Sequence, residues 1–419
     1  MNCVRQLMQL LMNWKEGCMN KIEKLIQKHC PNGVIFKQLR EIAKISNGKD
    51  HKHLNEGKFP VYGSGGIMRY ADQFIYTEKS VLIPRKGSIG NIFYVDEPFW
   101  TVDTIFYTKI DLALIVPKFL FYYLKTQKLE ELNFAGGVPS LTKSILDKIE
   151  IPTPPLPIQQ EIIKTLDLFT SLEAELEAEL EARKKQYQYY RDSLLNFDNI
   201  NGGGYKWLIV SELSANKLEW KTLGEVGEFI RGKRFVKTDM IASGFPCVHY
   251  GEMYTHYRIS ATEAKSFLDP ELAKKLRVAE PGDVIIVAAG ETIEDIGNGL
   301  AWLGDSGIVI HDACFAFKHS QNPKFVSYFL YTEMFRSQIK KHISSGKISA
   351  INAAGLGKAL MPVPSLREQE RIVAILDKFD ALVNDISIGL PAELEARRKQ
   401  YEYYRNKVLH FKKLEHVTV

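Results

Sequence analysis

Cysteine is scarce and badly placed for structural work in this 419-residue chain. Five residues (Cys3, Cys18, Cys30, Cys247 and Cys314) are scattered, odd in number, without a C-x-x-C pair or a histidine ladder nearby. That spacing argues against a disulfide framework and a structural zinc site, and it fits a reducing cytoplasm. Long hydrophobic runs are missing too. The richest apolar stretch, Tyr107 to Leu124, is interrupted by Lys109, Asp111, Pro117 and Lys118, so no membrane span is readable. The first eighteen residues set Leu7, Leu10 and Leu11 among Gln, Asn and Lys and lack the compact apolar core of a signal peptide. They read as an upstream extension, with Met19 opening the helical run Met19 to Lys28. Net charge is small: 55 basic against 50 acidic residues give +5. This permits an anionic partner without demanding one, because a nucleic-acid face can be local.

Catalytic signatures are also missing. The Gly-Lys pairs at Gly48, Gly57, Gly232, Gly346 and Gly357 lack the following hydroxyl residue and the upstream glycine of a phosphate loop. There is no H-E-x-x-H, no G-x-S-x-G, and no Asn-Pro-Pro-aromatic loop of the kind that holds a flipped base for amino-methylation. Pro154-Pro155 lacks the asparagine and sits in an elbow. His249, His256 and His311 with Asp312 could be drawn into a site, but they read as structural or substrate-contact residues rather than catalytic ones.

What the chain does have is repetition. Ile151 to Phe169, a proline-rich elbow running into a helix, aligns with Met361 to Phe379 at 8 of 19 positions. Glu179 to Phe197 aligns with Glu393 to Phe411 at 13 of 19. Weaker anchors precede each elbow: Phe36 to Lys49 pairs with Trp220 to Lys233, Phe59-Pro60 with Phe245-Pro246, and Pro117-Lys118-Phe119 with Pro323-Lys324-Phe325. Between those anchors the halves diverge. A duplicated spacer implies duplicated things being spaced. The chain divides into an N-terminal extension and helix (1–32), a first globule (33–150), an elbow and central long helix (151–200), a linker (201–217) with the flexible joint Asn201 to Gly204, a second globule (218–360), an elbow and C-terminal long helix (361–411), and a tail (412–419).

Each helix carries a one-sided apolar stripe: Ile162, Leu166, Phe169, Leu172, Leu176, Leu180, Tyr187 and Tyr190 in the first, and Ile372, Leu376, Phe379, Leu394, Tyr401 and Tyr404 in the second. Such a stripe must be buried, and the natural partner of each helix is the other. Acidic residues Glu173 to Glu181 precede Arg183, Lys184, Lys185 and Arg191 in the first, while Asp377, Asp380 and Asp385 precede Arg397, Arg398, Lys399 and Arg405 in the second. Antiparallel pairing sets acid against base, with a parallel or intermolecular coiled coil as the alternative. Residues 172–183 form a tandem tetrapeptide, Leu-Glu-Ala-Glu twice and then Leu-Glu-Ala-Arg, which reads as a length adjuster because four residues are close to one helical turn. Gly389 and Pro391 should kink or interrupt the second helix.

The globules mix short β-rich runs (Ser80 to Pro84, Ile92 to Val95, Thr104 to Tyr107; Asp283 to Val287, Gly307 to Ile310, Cys314 to Phe317) with helix-like runs (Lys118 to Leu132, Lys324 to Ile339), giving α/β globules with a twisted or curled sheet. Basic and aromatic residues cluster in their loops: Lys49, His51, Lys52, Arg69, Tyr70, Arg85, Lys86 and Ser88 in the first, and Arg231, Lys233, Arg234, His249, Tyr250, Tyr257 and Arg258 in the second. These side chains can reach phosphates and base edges, although a charge run is also what a solvated face looks like. Ser140, in Gly136 to Thr142, and Lys347 and Ser349, in Ser345 to Asn352, precede the short helix before each elbow, as a phosphate cradle or as a plain capped turn.

The twice-present Pro-x-Pro-x-Leu-x-x-Gln-x-x-Ile-x-x-x-Leu-Asp elbow, the twice-present Leu-Glu-Ala-Arg-x-x-Gln-Tyr-x-Tyr-Tyr-Arg tail and the tetrapeptide run together resemble the specificity subunits of type I restriction-modification enzymes, over Met19 to about Phe411. The resemblance implies two α/β target-recognition domains, each reading half of a split double-stranded DNA sequence, held apart by an antiparallel coiled-coil pair with pseudo-two-fold symmetry. It also implies two docked modification (methyltransferase) subunits carrying S-adenosylmethionine, and motor-nuclease subunits using ATP and magnesium. The chain itself would bind no cofactor or metal and perform no catalysis. It departs from the pattern at Tyr205 to Lys217, which looks inserted, and at Gly389/Pro391. A free-standing DNA-binding regulator and a coiled-coil protein scaffold are the competing readings.

Overall fold

The computed structural model describes residues 21–132, 140–197, 218–385 and 388–414. The upstream extension, the joint Asn201 to Gly204 and the segment Tyr205 to Lys217 lie outside these residues. The chain forms two units: Met1–Leu176 with Leu394–Val419, and Glu177–Glu393. Each therefore combines the globule and elbow of one repeat with the tail helix of the other.

In the first unit, Phe36–Gln38 pairs antiparallel with Glu150–Pro152, closing the globule where the chain enters and leaves. A one-turn helix, Leu39–Ile42, follows, capped by the Gln38 N–H donating to Glu41 Oε2 at 2.6 Å. The main sheet has four antiparallel strands in the order Ala43–Asn47, Ile105–Ile110, Ser80–Pro84, Phe93–Val95. Every residue of Ser80–Pro84 is buried, as its unbroken apolar run requires of an inner strand covered on both faces. A smaller sheet sets the hairpin Glu56–Gly63/Gly66–Ala71 beside Trp100–Thr101.

The second unit repeats the frame. Glu219–Thr222 pairs with Leu360–Val363, and Leu223–Val226 carries the same kind of capping box through Thr222 and Glu225. Its two main sheets have five strands each, in the orders Gly227–Arg231, Cys314–His319, Val284–Val287, Gly299–Trp302, Ser260–Ala261 and Met240–Ile241, Ser266–Leu268, Phe245–Val248, Ile308–Ile310, Val278–Ala279. The expected single helical runs are each divided. Lys118 to Leu132 becomes Pro117–Leu124 and a 3₁₀ turn Leu129–Leu132, broken where Lys128 takes φ 43°. Lys324 to Ile339 becomes Pro323–Leu330 and Glu333–Lys340, because Thr332 turns its hydroxyl to cap the Phe335 N–H at 3.2 Å and starts a new helix.

The repeated elbow residues have repeated contacts. Gln159 is fully buried; its Oε1 accepts the Val116 N–H at 2.8 Å and its Nε2 donates to the carbonyls of Leu114 at 3.0 Å and Pro154 at 2.7 Å. Gln369 does the same with the Asn322 N–H at 2.9 Å, the Pro364 carbonyl at 2.9 Å and Gln321 Oε1 at 2.8 Å. One turn or two further on, Asp167 accepts from Lys118 Nζ at 2.8 Å and the Tyr122 hydroxyl at 2.5 Å, and Asp377 from Lys324 Nζ at 2.6 Å and the Tyr328 hydroxyl at 2.8 Å. The shared Pro-Lys-Phe anchor is thus the globule's half of a clamp whose other half is the elbow helix.

The central helix is continuous over Leu156–Leu195, 40 residues, whereas its counterpart is two helices, Leu366–Asn384 and Leu390–Leu409. At the break, a Cβ on Gly389 would fall 2.5 Å from the Ala381 carbonyl oxygen, so the close return of the backbone demands glycine. Pro391 then sits in the first turn of the new helix, where its missing N–H costs nothing. Pairing is antiparallel. In the first unit Phe169 stacks on Tyr404 (5.6 Å between ring centroids, 24°) and tilts against Tyr401 (6.1 Å), while Glu173 reaches Arg398 at 2.7 Å. In the second unit Phe379 stacks on Tyr190 (5.0 Å, 26°), and Tyr187 is buried near Asp380; the burial itself, and then the charge of Asp380, raise its pKa. Arg183 and Lys184 pair instead with Glu179 and Glu181 on their own helix. Exposed pairs of this sort contribute about 0.3–0.5 kcal/mol each, so burial of the stripe dominates.

Candidate nucleic-acid interface

In the first globule the expected basic loops converge on the hairpin Glu56–Gly63/Gly66–Ala71. The Lys49 N–H donates to the Thr101 carbonyl at 2.8 Å and its own carbonyl accepts Trp100 Nε1–H at 3.0 Å, which fixes the loop while its side chain stays exposed. Asp50 Oδ1 receives the N–H groups of His51 at 2.9 Å and Lys52 at 3.4 Å, which shapes the turn. Arg69 sends Nη2 to the Leu54 carbonyl at 2.8 Å, tying the hairpin to this loop, and Tyr70 beside it is half exposed. On the other side, the Arg85 guanidinium lies 5.2 Å from the Phe106 ring centroid and Lys86 bridges to Ser140. Ser88 and Lys86 are exposed. His51 Nδ1 and Arg85 Nε are buried without a hydrogen-bond partner.

The second globule arranges its candidates differently. Arg231 donates Nε to the Asp312 carbonyl at 3.0 Å, Lys233 donates Nζ to the Lys275 carbonyl at 2.9 Å, and Arg234 and Arg258 are exposed. His249, Tyr250 and His311 form a ring cluster with centroids 4.5 Å (His249–Tyr250), 4.7 Å (His249–His311) and 5.1 Å (Tyr250–His311) apart, closed from one side by Phe235. His249 and Tyr250 line one wall of an open cavity of about 540 Å³ bounded also by Lys237, Tyr254, Lys265, Glu291 and Asp295. Tyr257 departs from its expected surface place. It is buried, its hydroxyl accepts the Lys265 N–H at 2.8 Å, and burial pushes its pKa up to about 12. Ser349 is buried as well, while Lys347 stays exposed beside Ile348.

Gly136 to Pro139 lie outside the described residues; the short helices that follow, Lys143–Leu146 and Ala353–Gly357, are capped by side chains. Thr142 caps the Ile145 N–H and Asn352 the Gly355 N–H, so side chains already take donors that a phosphate would need. The stripe residues Ile162, Leu166, Phe169, Tyr187, Ile372, Leu376 and Leu394 are buried, and Leu176, Leu180, Tyr190, Phe379, Tyr401 and Tyr404 are partly so. Ile162 and Leu166 share a core with Phe119 and Leu120 of the globule as well as Val408 and Leu409 of the tail, and Ile372 and Leu376 with Phe325 and Tyr328 as well as Tyr187 and Leu194. The residues left outward at equivalent positions of the two tails are Tyr189 and Tyr403, 55% and 63% exposed. Reading by periodicity missed them because a tyrosine off the stripe looks like an ordinary surface residue. It also missed the exposed hairpin residues Ile67 and Met68, whose signal was the glycine turn beside them.

Three histidines of the second globule are held neutral. Burial lowers the pKa of His249, helped by the neighbouring His311 and Lys237; burial lowers that of His311 against the pull of Asp312; burial brings His319 to about 4 against the pull of Asp283. His319 Nδ1 accepts the Gln321 N–H at 3.1 Å. The unfolded chain takes up these protons first, near pH 6.5, so folded-state stability is full above that pH and falls as pH drops toward about 4. His319 alone is expected to cost on the order of 2–3 kcal/mol across that window. Urea unfolding of wild type should weaken steadily from pH 7 to 4, and His319→Asn, which keeps an acceptor for Gln321, should flatten the slope. An identical slope in both would exclude this source.

Against known proteins, the family model described as the type I restriction modification DNA specificity domain matches residues 31–182 and again 216–396. A Haemophilus influenzae chain described as a type I restriction enzyme specificity subunit is 31% identical over 408 residues, 93% of this chain and 98% of that one. The Escherichia coli EcoR124I/EcoR124II specificity subunit is 32% identical over 72% of each chain. Among solved structures, the S subunit of a type I system from M. genitalium aligns over 89% of this chain and 95% of its own (TM-score 0.51, 18% identity). A chain from a study of complex assembly and conformational transition in a type I system aligns over 90% and 98% (TM-score 0.60, 17% identity). Two matched regions, each spanning one globule and its elbow, agree with the duplicated frame, and the chain belongs to the type I restriction-modification DNA specificity family.

Proposed function

We propose that this chain is the DNA specificity subunit of a type I restriction-modification system, acting in the cytoplasm. Each globule reads one half of a bipartite double-stranded target, and the paired helices set the gap between halves and dock two modification subunits. Motor-nuclease subunits join the assembly for cleavage. On this reading the chain supplies recognition without catalysis, while S-adenosylmethionine, ATP and magnesium belong to its partners. The observation that carries the proposal is a frame of clamps built twice from the same residues, Gln159/Asp167 and Gln369/Asp377, holding two globules whose loop surfaces differ. Equivalent frames suit two copies of one partner, and differing surfaces suit two different half-sites. The outward Tyr189 and Tyr403 fit the docking role, as large amphipathic side chains placed once in each repeat.

The test is genome-wide adenine methylation in cells expressing this chain with its modification subunit, compared with cells lacking only this chain. A split motif that disappears with the chain is expected. If no motif depends on it, the recognition role is lost.

A further inference from the structure

The hairpin at the centre of the first globule's basic loops carries apolar side chains that the protein leaves uncovered. Ile67 is 48% exposed and Met68 59%, beside Tyr70 at 51%. The tip is narrow. Gly63 pairs with Gly66 across Ser64-Gly65, Gly66 takes φ 120°, and a Cβ added at Gly65 or Gly66 would meet nothing within 4 Å. At Gly63, by contrast, a Cβ would lie 2.5 Å from Met68 Sδ, so the thioether lies against the glycine backbone. The tip is also braced. Asn91 Nδ2 reaches the Ser64 carbonyl at 3.5 Å, and the Val102 N–H donates to the Tyr62 carbonyl at 3.0 Å.

Cations flank this tip on both sides: Arg85 and Lys86 belong to the loop against Ser64, and Lys49, Lys52 and Arg69 to the side of Leu54 and Trp100. Acids are present as well: Asp50, already accepting two backbone N–H groups, Asp72, held by Asn55, Asp96 and Glu97 near Tyr62, Glu56 at the open end of the hairpin, and exposed Asp103. A two-stranded ribbon fits the DNA major groove, cations on its flanks meet the phosphates on either side, and an apolar tip meets the one apolar group displayed on the groove floor, the thymine C5 methyl. Resting on the proposed function, we infer that this hairpin is the base-reading ribbon of the first globule and that Ile67 and Met68 read thymine methyl groups. In the second globule the strand Phe245–Val248 likewise lies between an antiparallel partner, Ser266–Leu268, and a parallel one, Ile308–Ile310, but among the described residues the antiparallel pair is joined through residues 249–265, which include the helix Glu252–Thr255, in place of a narrow glycine turn.

The test uses the chain assembled with its modification subunit and duplexes carrying the mapped target. Deoxyuridine replaces each thymine in turn, removing one methyl and leaving every hydrogen-bonding group. In wild type, at least one replacement in one half-site is expected to weaken binding about fourfold, the value of one buried methyl. Ile67→Ala and Met68→Ala should reduce that difference at distinct thymines and leave deoxyuridine effects in the other half-site unchanged. Both side chains are exposed, so retained recognition of the other half-site also reports an intact fold. A wild-type assembly that reads its bipartite target yet ignores every deoxyuridine in both half-sites overturns the inference. So do variants whose thymine dependence matches wild type. Absence of any bipartite target in wild type would instead refute the recognition role itself.

Discussion

Replacing Gln369 by leucine is expected to remove about 3–5 kcal/mol of stability from the second unit, because it strands the half-buried Asn322 N–H and the buried Pro364 carbonyl at about 1–3 kcal/mol each and leaves Gln321 without this bond. Gln159→Leu should do the same to the first unit through the Val116 N–H and the carbonyls of Leu114 and Pro154. Gln369→Glu keeps the acceptor for Asn322 but loses both donated bonds and brings a charge into a buried site, so it should be no better tolerated. Peptide-resolved hydrogen exchange separates the two cases. Q369L should accelerate exchange in Pro323–Leu330 and the adjoining elbow, and Q159L in Pro117–Leu124. Losses below about 1 kcal/mol for both variants would show that the elbows are held by packing alone.

Deleting one tetrapeptide, Leu176 to Glu179, is expected to change the target recognised while leaving both half-sites intact. Four residues shorten a helix by about 6 Å at about 1.5 Å per residue, against about 3.4 Å per base step, so the unread gap should contract by one or two base pairs. The deletion removes slightly more than one turn, so the stripe that packs Phe169 on Tyr404 and Tyr190 on Phe379 stays nearly in phase on either side of it. Methylome sequencing should therefore show the original motif lost and a shorter-gapped one gained. An altered half-site, or an unchanged gap with full activity, would remove the helix from the determination of spacing.

Much of this frame was legible in the residues, for a reason that differs from element to element. The helices announced themselves because an apolar stripe over forty residues has one period, and Gly389 and Pro391 marked the break because each restricts the backbone in its own way. The Gln and Asp of the elbows stood out as repeats, but their purpose did not. A buried glutamine looks like a surface one until its partners, Val116 or Asn322, are brought beside it from more than forty residues away. The helical runs after each sheet were read as single because hydrophobicity continues through them, while the breaks depend on a hydroxyl at Thr332 and a left-handed Lys128. The candidate loops suffered most. Tyr257 and Arg258 are neighbours of similar promise in the sequence, yet one is core and the other surface, because an exposed loop has no period to say which way a side chain faces.

The stacked pairs Phe169–Tyr404 and Phe379–Tyr190 join the elbow of each repeat to the tail of the other. A change in either tail is therefore judged by a surface that the opposite half encodes, and neither half can drift alone. This gives the 13 identities in 19 tail residues a present-day cause, since ancestry alone would have let them fade as they did between the anchors of the globules. It also makes the halves interchangeable parts in heredity. On the proposed function, a globule traded between related chains at the elbows has to bring the lysine and tyrosine that meet Asp167 or Asp377, and where it does, a new combination of half-sites can arise in a single crossover.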